Sequence, residues 1–383
     1  MFWFDAHLDL ACLAVCGRDM TKEPEAAGGP TPPAGVTLSS LRAGGVRFAL
    51  ATIFIEQVDE GTERSRLTNE QYVEGDLAHA ARRARAQLEV YDTWRDRGLV
   101  RLDFPACLRF DPDVGEVRGG MGVSEVVVPP LDERAKVLAD GTPRLGILIE
   151  GADSIAKPED VAWWKSRGVC AVGLAWARSS HCAQGNMGRA IRGHSQSVGL
   201  SEIGREMVRA IDGAGLVHDL SHLSDIACDE VLSLTDRPVI ASHSNCRALL
   251  GGVNQRHLRD ETIREIVRRG GVIGLNLFSK FLRVEPPHEG AGRPTIGHAV
   301  AHVERVCELV GHRRAVGLGS DMDGGFSALS MCEGIERPEH LVRLTEALSA
   351  RGWSDEDVTG FTHLNWLRFW DSWVNPALSK SGR

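Results

Sequence analysis

Short apolar runs alternate with longer helical patterns along most of this 383-residue chain. The apolar runs lie near residue 4 and at 46–54, 144–150, 168–176, 214–222, 237–244, 270–278 and 314–321. Helical patterns such as 69–97, 200–215 and 259–271 separate them. Nearly continuous apolar runs are typical of strands that are covered on both faces. Eight such strands alternating with helices predict an α/β protein with a parallel sheet.

Polar residues at the ends of these runs distinguish a closed barrel from an open sheet. They lie on several strands, at or just beyond the C-terminal end of each: His7, Asp9, Glu150, His222, His243 and Asp321. In a (β/α)8 barrel these ends converge on one rim, where barrel active sites lie, whereas an open sheet would spread them along an edge. We therefore predict a single TIM-barrel domain over residues 1–383, with Pro- and Gly-rich excursions at 18–38 and 284–297.

Composition narrows the classes of partner. The chain is 43% hydrophobic and 25% charged with a net charge of −8, and no block of Lys and Arg is present. Nucleic acid and anionic membranes are therefore poor candidates for binding. The first ten residues lack the pattern of a secretory signal, and no stretch reaches the ~20 apolar residues that cross a bilayer. The expected location is cytoplasmic.

The His7-Leu8-Asp9 motif places two potential metal ligands two residues apart at the end of the first strand. Side chains at positions i and i+2 of a strand share a face, so both can point into the mouth of the barrel. A histidine and a carboxylate together suit zinc or a similar divalent ion. Taken alone, the motif more often marks a hydrogen-bonded histidine beside a surface aspartate.

Four further strands end in side chains of the same kinds. Glu150 closes an apolar run, where a carboxylate is costly unless it is paired or bound to metal, and a salt bridge is the competing interpretation. His222 and His243 end two successive strands. Asp321 ends the last strand, and its position favours it over the neighbouring Asp323.

The combination is more informative than any one member. One His-x-Asp motif, one glutamate, two histidines and one aspartate on strands one, three, five, six and eight provide ligands for two metal ions. Paired zinc ions lie ~3.5–4 Å apart and share a water or hydroxide that becomes the nucleophile. The sequence therefore predicts a binuclear metal site at the C-terminal ends of the strands.

These residues lie within longer motifs that resemble one family over nearly the whole chain. The motifs are DAHLD, ILIEGADSI, GLSEIGREMVRAIDGAGLVHDLSHLSD, PVIASHSNCRAL, AVGLGSDMDG and WSDEDVTGFTHLNWLRFW. The chain is similar to the renal (membrane) dipeptidase family of zinc peptidases, within the amidohydrolase superfamily. The resemblance implies two zinc ions per chain. It makes His7 and Asp9 ligands of the first zinc, Glu150 a bridge between both ions, and His222 and His243 ligands of the second.

The resemblance also assigns residues that contact substrate. Asp321 matches the acidic residue that faces the bridging water. Arg256 matches the arginine that binds the substrate's C-terminal carboxylate, a suitable role for a guanidinium fork, although His257 replaces the family's asparagine after it. Trp176 occupies the position of a family histidine that binds substrate and stabilises the tetrahedral intermediate. His181, five residues further on, either compensates from its loop or is an exposed loop residue.

The expected activity is hydrolysis of small dipeptides by a hydroxide bridging the metals, with Asp321 transferring protons. The alternatives are hydrolysis of another small amide such as an N-acyl amino acid or lactam, which Trp176 favours, and a non-catalytic metal-binding barrel. A phosphotriesterase-like enzyme ranks last because it would bridge its metals with a carboxylated lysine, whereas Glu150 has that role here. The expected partner is a dipeptide, not nucleic acid or membrane, and homodimerisation stays open.

Overall fold

The structure is a computed structural model that describes residues 1–59, 70–109, 116–120, 123–127, 129–194, 198–284 and 292–376. The strands are β1 Trp3–Leu8, β2 Val46–Phe54, β3 Glu56–Val58, β4 Gln71–Val73, β5 Glu116–Gly120, β6 Val123–Val127, β7 Arg144–Glu150, β8 Val169–Gly173, β9 Val217–Asp219, β10 Ile273–Leu275 and β11 Val316–Leu318. The α-helices are α1 Leu10–Val15, α2 Leu38–Ala43, α3 Leu77–Asp96, α4 Leu131–Leu138, α5 Val161–Ser166, α6 Glu202–Ala214, α7 Asp225–Leu234, α8 Asp260–Arg268, α9 Ile296–Val310, α10 Val342–Ala350, α11 Asp355–Thr359 and α12 Asn365–Val374.

Seven of these strands form one parallel sheet in the order β10–β11–β1–β2–β7–β8–β9, which confirms the predicted α/β class. The predicted strand at 237–244 makes single parallel bridges instead of a ladder. Asp219 of β9 bridges to Ile240, and Ala241 bridges to Ile273 of β10. Because both outer strands contact this one segment, the sheet is curled.

The central strands follow the expectation for buried parallel strands. β7 is buried along its whole length, and in β2 Arg47 alone is partly exposed. Their register is regular over seven pairs and ends with Phe54 opposite Glu150. The pairing continues from Glu150 to Gly173 of β8 and from Gly173 to Asp219 of β9. The ends of β2, β7, β8 and β9 are therefore held at one level.

The opposite end of the sheet is closed by aromatic packing. Phe4 of β1 lies 5.6 Å from the ring of Trp366 and 5.2 Å from that of Phe104, measured between ring centroids. Phe104 in turn packs against Trp370 of α12. The indole of Trp366 also donates a hydrogen bond of 2.9 Å to the carbonyl of Leu318 in β11. This packing leaves the carboxyl ends of the strands as the open end.

Helix α6 begins and ends where its local sequence predicts, whereas the helical pattern predicted over 69–97 includes strand β4 and forms a helix only from Leu77. The Ser201 hydroxyl accepts a hydrogen bond from the amide of Gly204 and caps α6, and Gly215 ends the helix in the left-handed conformation at φ 67°. The buried residues Met207 and Ile211 recur at a helical spacing. None of the helices in the described part of the chain is long and apolar enough to span a bilayer.

Two glycines let three strand segments approach one another closely. A Cβ atom on Gly274 or on Gly319 would lie 1.8 Å from the carbonyl oxygen of Ser242. Real Cβ contacts are essentially never closer than 3.0 Å. Glycine is therefore required at both positions for the backbone beside His243 to pack as it does.

The predicted excursion at 18–38 lacks β-strands and, until α2 begins at Leu38, contains one 3-10 turn at Pro24–Ala26. Although Pro- and Gly-rich segments of this kind usually form surface loops, Arg18, Met20 and Val36 are buried. Half of the second excursion, residues 285–291 of 284–297, lies outside the described residues; its described part includes the start of α9.

Candidate metal centre

The six predicted ligands are all buried and lie at the open end of the sheet: His7, Asp9, Glu150, His222, His243 and Asp321. His7 lies within β1 and Glu150 is the last residue of β7. Two groups of potential ligand atoms each fit within 4.8 Å. The first comprises His7, Glu150 and His243, and the second His7, Asp9 and Asp321. The structure thus brings together residues from five segments that are remote in sequence.

The carboxylate of Glu150 lies between the histidines. Its Oε2 atom is 3.5 Å from Nε2 of His7. Its Oε1 atom is 3.1 Å from Nε2 of His222 and 3.4 Å from Nε2 of His243. One oxygen therefore faces the first strand, and the other faces the two histidines on the far side of the site. The two oxygens of Glu150 thus face different sets of potential ligand atoms.

The ring nitrogens of these histidines fit a bound cation. Nε2 of His7 is buried and has no hydrogen-bond partner among the described residues. Nε2 of His222 and Nε2 of His243 face each other at 3.0 Å. Nδ1 of His222 lies 3.0 Å from Oδ1 of Asn186, an acceptor that places the ring proton on Nδ1. The lone pair on its Nε2 then points into the centre, where a metal ion would accept it.

Asp9 and Asp321 complete the set on the side of β1. Oδ1 of Asp9 lies 3.8 Å from Nε2 of His7 and accepts a hydrogen bond from the hydroxyl of Thr52. Oδ2 of Asp321 accepts a 2.9 Å hydrogen bond from the side-chain amide of Asn276. These bonds orient both carboxylates, as commonly found around metal ligands.

Two ligands have strained backbones. His222 has φ 67° and Asp321 has φ 58°, so both adopt the left-handed conformation. This conformation costs on the order of 1–3 kcal/mol for a residue other than glycine, and it clusters at functional sites. Each residue follows its strand by three positions, and the turn there aims the side chain at the centre.

The charges in the site are unbalanced without a cation. Burial and the charge of Glu150 raise the pKa of Asp9 to about 6. Burial also raises the pKa of Asp321 to about 7. Burial would lower the pKa of His7, but the charges of Glu150, Asp9 and Asp321 raise it to about 10. Burial and the charge of Arg256 lower the pKa of His222 to about 4. Three carboxylates and three imidazoles form a donor set suited to divalent metals.

A cavity of about 370 Å³ opens above the ligands. Five aromatic residues line it together with the acids and histidines: Phe54, Trp176, Phe278, Phe281 and Phe326. Phe278 and Phe326 are stacked, with ring centroids 4.1 Å apart. The cavity therefore combines a charged floor with apolar walls, the usual composition of a small-molecule site.

Trp176 and His181 lie in different surroundings. Trp176 lines the cavity, and its ring centroid is 5.1 Å from that of Phe54 and 5.9 Å from that of His222. The ring of His181 faces Asp153 instead, with Nδ1 2.6 Å from Oδ1 of that carboxylate. The backbone amide of His181 donates to the same oxygen at 2.8 Å. The position of Trp176 agrees with a substrate-contacting role, and a role for His181 in catalysis stays a prediction.

Arg256 is buried beside the cavity wall. Its Nη2 donates to the carbonyl of His243 at 2.9 Å and its Nη1 to the hydroxyl of Ser244 at 3.2 Å. Its guanidinium carbon lies 5.1 Å from the centre of the Phe281 ring, which lines the cavity. Its Nε has no partner among the described residues, and burial lowers its pKa. A buried guanidinium of this kind needs an anion to offset its desolvation.

The sequence interpretation did not include the residues that hold the ligands in place. These are Thr52, Asn186, Asp219, Ser242 and Asn276. Asp219 and Ser242 each lie close to a predicted histidine ligand, in the motifs DLSH and IASH. A buried polar residue beside a ligand is the available signal, but its partner depends on the fold. The aromatic wall at 278, 281 and 326 was also absent from the prediction.

Comparison with known proteins assigns the chain to a family. The sequence model described as Membrane dipeptidase (Peptidase family M19) matches residues 127–380, about two thirds of the chain. The chain belongs to the membrane dipeptidase family.

Individual relatives of the family show the extent of the likeness. An uncharacterized dipeptidase of Schizosaccharomyces pombe is 32% identical over 184 residues, which is 48% of this chain and 42% of the relative. The chain thus aligns with less than half of that protein's length. The solved structure of the dipeptidase AC, a metallopeptidase of the same family, superposes with a TM-score of 0.73 at 22% identity, covering 98% of this chain and 99% of that one.

A second solved structure carries a bound ligand. It is a metallopeptidase from Rhodobacter sphaeroides liganded with a phosphinate mimic of the dipeptide L-Ala-D-Ala. It superposes with a TM-score of 0.70 at 22% identity, covering 97% of this chain and 99% of that chain. These two likenesses establish that this chain has the same fold as the two solved metallopeptidases.

Proposed function

We propose that this protein is a metal-dependent dipeptidase. The observation that carries the proposal is that the two carboxylate oxygens of Glu150 face different histidines. One oxygen lies 3.5 Å from His7 Nε2, and the other lies 3.1 Å from His222 Nε2. A carboxylate shared in this way suits a bridge between two cations. Membership of the membrane dipeptidase family supports the same activity.

The proposed cofactor is a pair of zinc ions. His7 and Asp9 would hold the first ion, His222 and His243 the second, and Glu150 both. When bound, such a pair polarises a carbonyl group and lowers the pKa of a shared water toward ~7. Carboxylates and imidazoles without thiolates are a ligand set found in catalytic zinc sites.

The protein's own side chains supply the remaining steps. Asp321 is placed to take a proton from the attacking water and return it to the leaving amine. Asn276 fixes the direction of that carboxylate through its 2.9 Å hydrogen bond. Arg256 is the proposed anchor for the substrate's terminal carboxylate, because it is buried beside the cavity wall and its Nε has no hydrogen-bond partner among the described residues.

The size and walls of the cavity limit the substrate. A volume of about 370 Å³ is at the small end of the range for ligand pockets and suits a dipeptide. The dipeptide mimic bound by the Rhodobacter sphaeroides protein supports this class. We further propose that residues 237–244 act as the sixth strand of a closed (β/α)8 barrel, since their bridges reach both β9 and β10. Homodimerisation remains a prediction that sedimentation can test.

Metal analysis and a substrate panel test the proposal. We expect the purified protein to hold about two zinc equivalents and to hydrolyse dipeptides. Glu150→Gln should lose at least one equivalent and nearly all activity, because a neutral amide cannot serve as a shared anionic ligand. The panel should also contain N-acyl amino acids and a lactam. Preferential turnover of those compounds would favour another small amide as substrate, and a fully loaded, active Glu150→Gln protein would contradict the bridging role.

A further inference from the structure

The hydroxyl of Ser242 lies between two of the candidate ligands. Its Oγ atom is 2.8 Å from Nδ1 of His243 and 3.3 Å from Nδ1 of His7. The two imidazole rings are stacked, with centroids 3.5 Å apart and planes inclined by 26°. Both rings therefore present the same nitrogen to one oxygen. Ser242 is fully buried, so water does not compete for these contacts.

The carboxylate of Asp219 determines which way this network is polarised. Oδ2 of Asp219 is 2.5 Å from Oγ of Ser242. Its Oδ1 accepts the backbone amides of Ser242 at 2.8 Å and of Ser221 at 3.1 Å. A hydroxyl has one proton, and an ionised carboxylate can only accept. Ser242 therefore donates to Asp219 and has only lone pairs left for the two histidines.

We propose that Asp219 and Ser242 form a positioning pair that keeps the ring protons of His7 and His243 on Nδ1. In the neutral rings that bind metal, both Nε2 lone pairs then face the centre, where Nε2 of His7 has no hydrogen-bond partner among the described residues. A metal-binding histidine is generally held by such a bond to its second nitrogen, and removing the outer partner costs 10–100-fold in metal affinity. The inference rests on the proposed function, since it concerns the same metal site.

The pair also connects the two groups of ligands. His7 belongs to the group with Asp9 and Asp321, whereas His243 shares the other group with Glu150 and His7. One hydroxyl therefore orients a ligand on each side of Glu150. Loss of Ser242 should weaken both metal positions together, which the loss of a ligand to only one of the two ions would not do.

Asp219→Asn is the sharpest test because it reverses the polarity at almost constant shape. The two backbone amides at Oδ1 require an acceptor, so the asparagine oxygen must stay there and its NH2 group must face Ser242. The amide then donates to Ser242, which must donate its own proton elsewhere. The nearest acceptor is Nδ1 of His243, at 2.8 Å. His243 would then carry its proton on Nε2, the atom needed for metal.

Ser242→Ala removes the hydroxyl without reversing the polarity of the remaining hydrogen bonds. Ser320→Ala is its matched control. Ser320 donates to Oδ2 of Asp5 through its hydroxyl, and its amide donates to Oδ1 at 2.8 Å. Ser320 is fully buried and precedes a ligand, Asp321, as Ser242 precedes His243. Among the described residues, no histidine ring contacts the Ser320 hydroxyl. The Ser320→Ala variant therefore measures how zinc affinity changes when a buried hydroxyl that orients no histidine is lost.

Two measurements on folded protein decide the question. The first is the zinc dissociation constant by competition with a chromogenic chelator; the second is 15N NMR of labelled histidines at pH 8 in metal-free protein. We expect Ser242→Ala to bind zinc 10–100-fold more weakly than wild type, with a smaller change in Ser320→Ala. In Asp219→Asn the proton of His243 should move from Nδ1 to Nε2, with at least as large a loss of affinity.

The opposite results would overturn the proposal. These are His243 protonated on Nδ1 in Asp219→Asn, or Ser242→Ala binding zinc as tightly as Ser320→Ala. If Asp219→Asn does not fold, the affinity of Ser242→Ala alone decides. Wild-type protein that binds no zinc would refute the proposed function, whereas the tautomer of His243 in metal-free protein would still test the positioning pair.

Discussion

Replacing Asp323 with asparagine should destabilise the protein strongly although it hardly changes the shape of the side chain. Oδ2 of Asp323 pairs with Nη1 of Arg18 and accepts the backbone amides of Gly35 and Val36, both at 2.7 Å. Both charged side chains are fully buried. Asparagine can keep an oxygen at this point, and it tolerates the left-handed backbone of residue 323, which has φ 62°. The substitution therefore removes essentially the negative charge alone.

The expected size of the effect follows from burial. Removing one partner of a buried ion pair leaves an uncompensated charge and costs ~3–5 kcal/mol of unfolding free energy. The entropy of unfolding is about 2.1 cal/mol/K per residue, or about 0.8 kcal/mol/K for 383 residues. Dividing the first quantity by the second predicts a fall in Tm of about 4–6 °C.

Differential scanning calorimetry of Asp323→Asn beside Asp96→Asn tests this reasoning. Asp96 also pairs with an arginine, but its side chain is 68% exposed and that of Arg95 is 47% exposed. An exposed pair contributes about 0–1 kcal/mol, so the control should melt within about 1 °C of wild type. Adding Arg18→Met to Asp323→Asn should recover part of the loss, because the unpaired charge is removed. Equal melting of the two single variants would refute the account.

The other predictions concern the cavity. Arg256→Ala should lower kcat/KM for dipeptides with a free carboxylate by on the order of 30-fold or more, because the lost ion pair is worth ~2–5 kcal/mol. The kcat/KM for amidated dipeptides should not change. The zinc content of the variant, measured alongside, distinguishes this effect from loss of metal. Trp176→His should raise kcat by on the order of tenfold for dipeptides with bulky N-terminal residues. The reason is that an added hydrogen-bond donor to a developing oxyanion is worth up to ~2.7–4 kcal/mol. A folded variant with an unchanged substrate range would refute this prediction. His181→Ala should cost about 1.5–3 kcal/mol of stability by breaking its contact with Asp153, as urea titration would show; a fall in kcat larger than the rise in KM would instead assign His181 as the oxyanion donor.

Sequence reasoning predicted well which side chains would lie together at the candidate metal centre, because their positions depend on local rules. His7 and Asp9 share a face through the alternation of a strand, and Glu150 ends a run whose length is visible in the sequence. The barrel geometry then predicts that strand ends converge. Those rules need no knowledge of which strands are neighbours, and the structure brings the ligands together as expected.

What the sequence could not provide depends on pairing between remote segments. The bond from Ser242 to His7 joins residues 235 positions apart, and it exists only because the segment at 237–244 lies beside the end of β1. The same segment has an apolar pattern that predicts a full strand, but it makes only single bridges. The orientation of His181 toward Asp153 is likewise set by tertiary packing, for which the loop sequence has no signature.

The glycines at 274 and 319 have a consequence for how this pocket can change. Since a Cβ at either position would lie 1.8 Å from the Ser242 carbonyl, an alanine there would displace that backbone by more than 1 Å to reach an ordinary contact. His243 is the next residue along the chain, and a misplacement of about 1 Å in a reacting site can cost ~10²-fold in rate. The coordinates of a ligand are thus specified partly by residues that have no side chain at all. Substitutions that adapt this pocket to another amide can change the aromatic walls. Both glycines must be kept, because they determine where the ligand His243 lies.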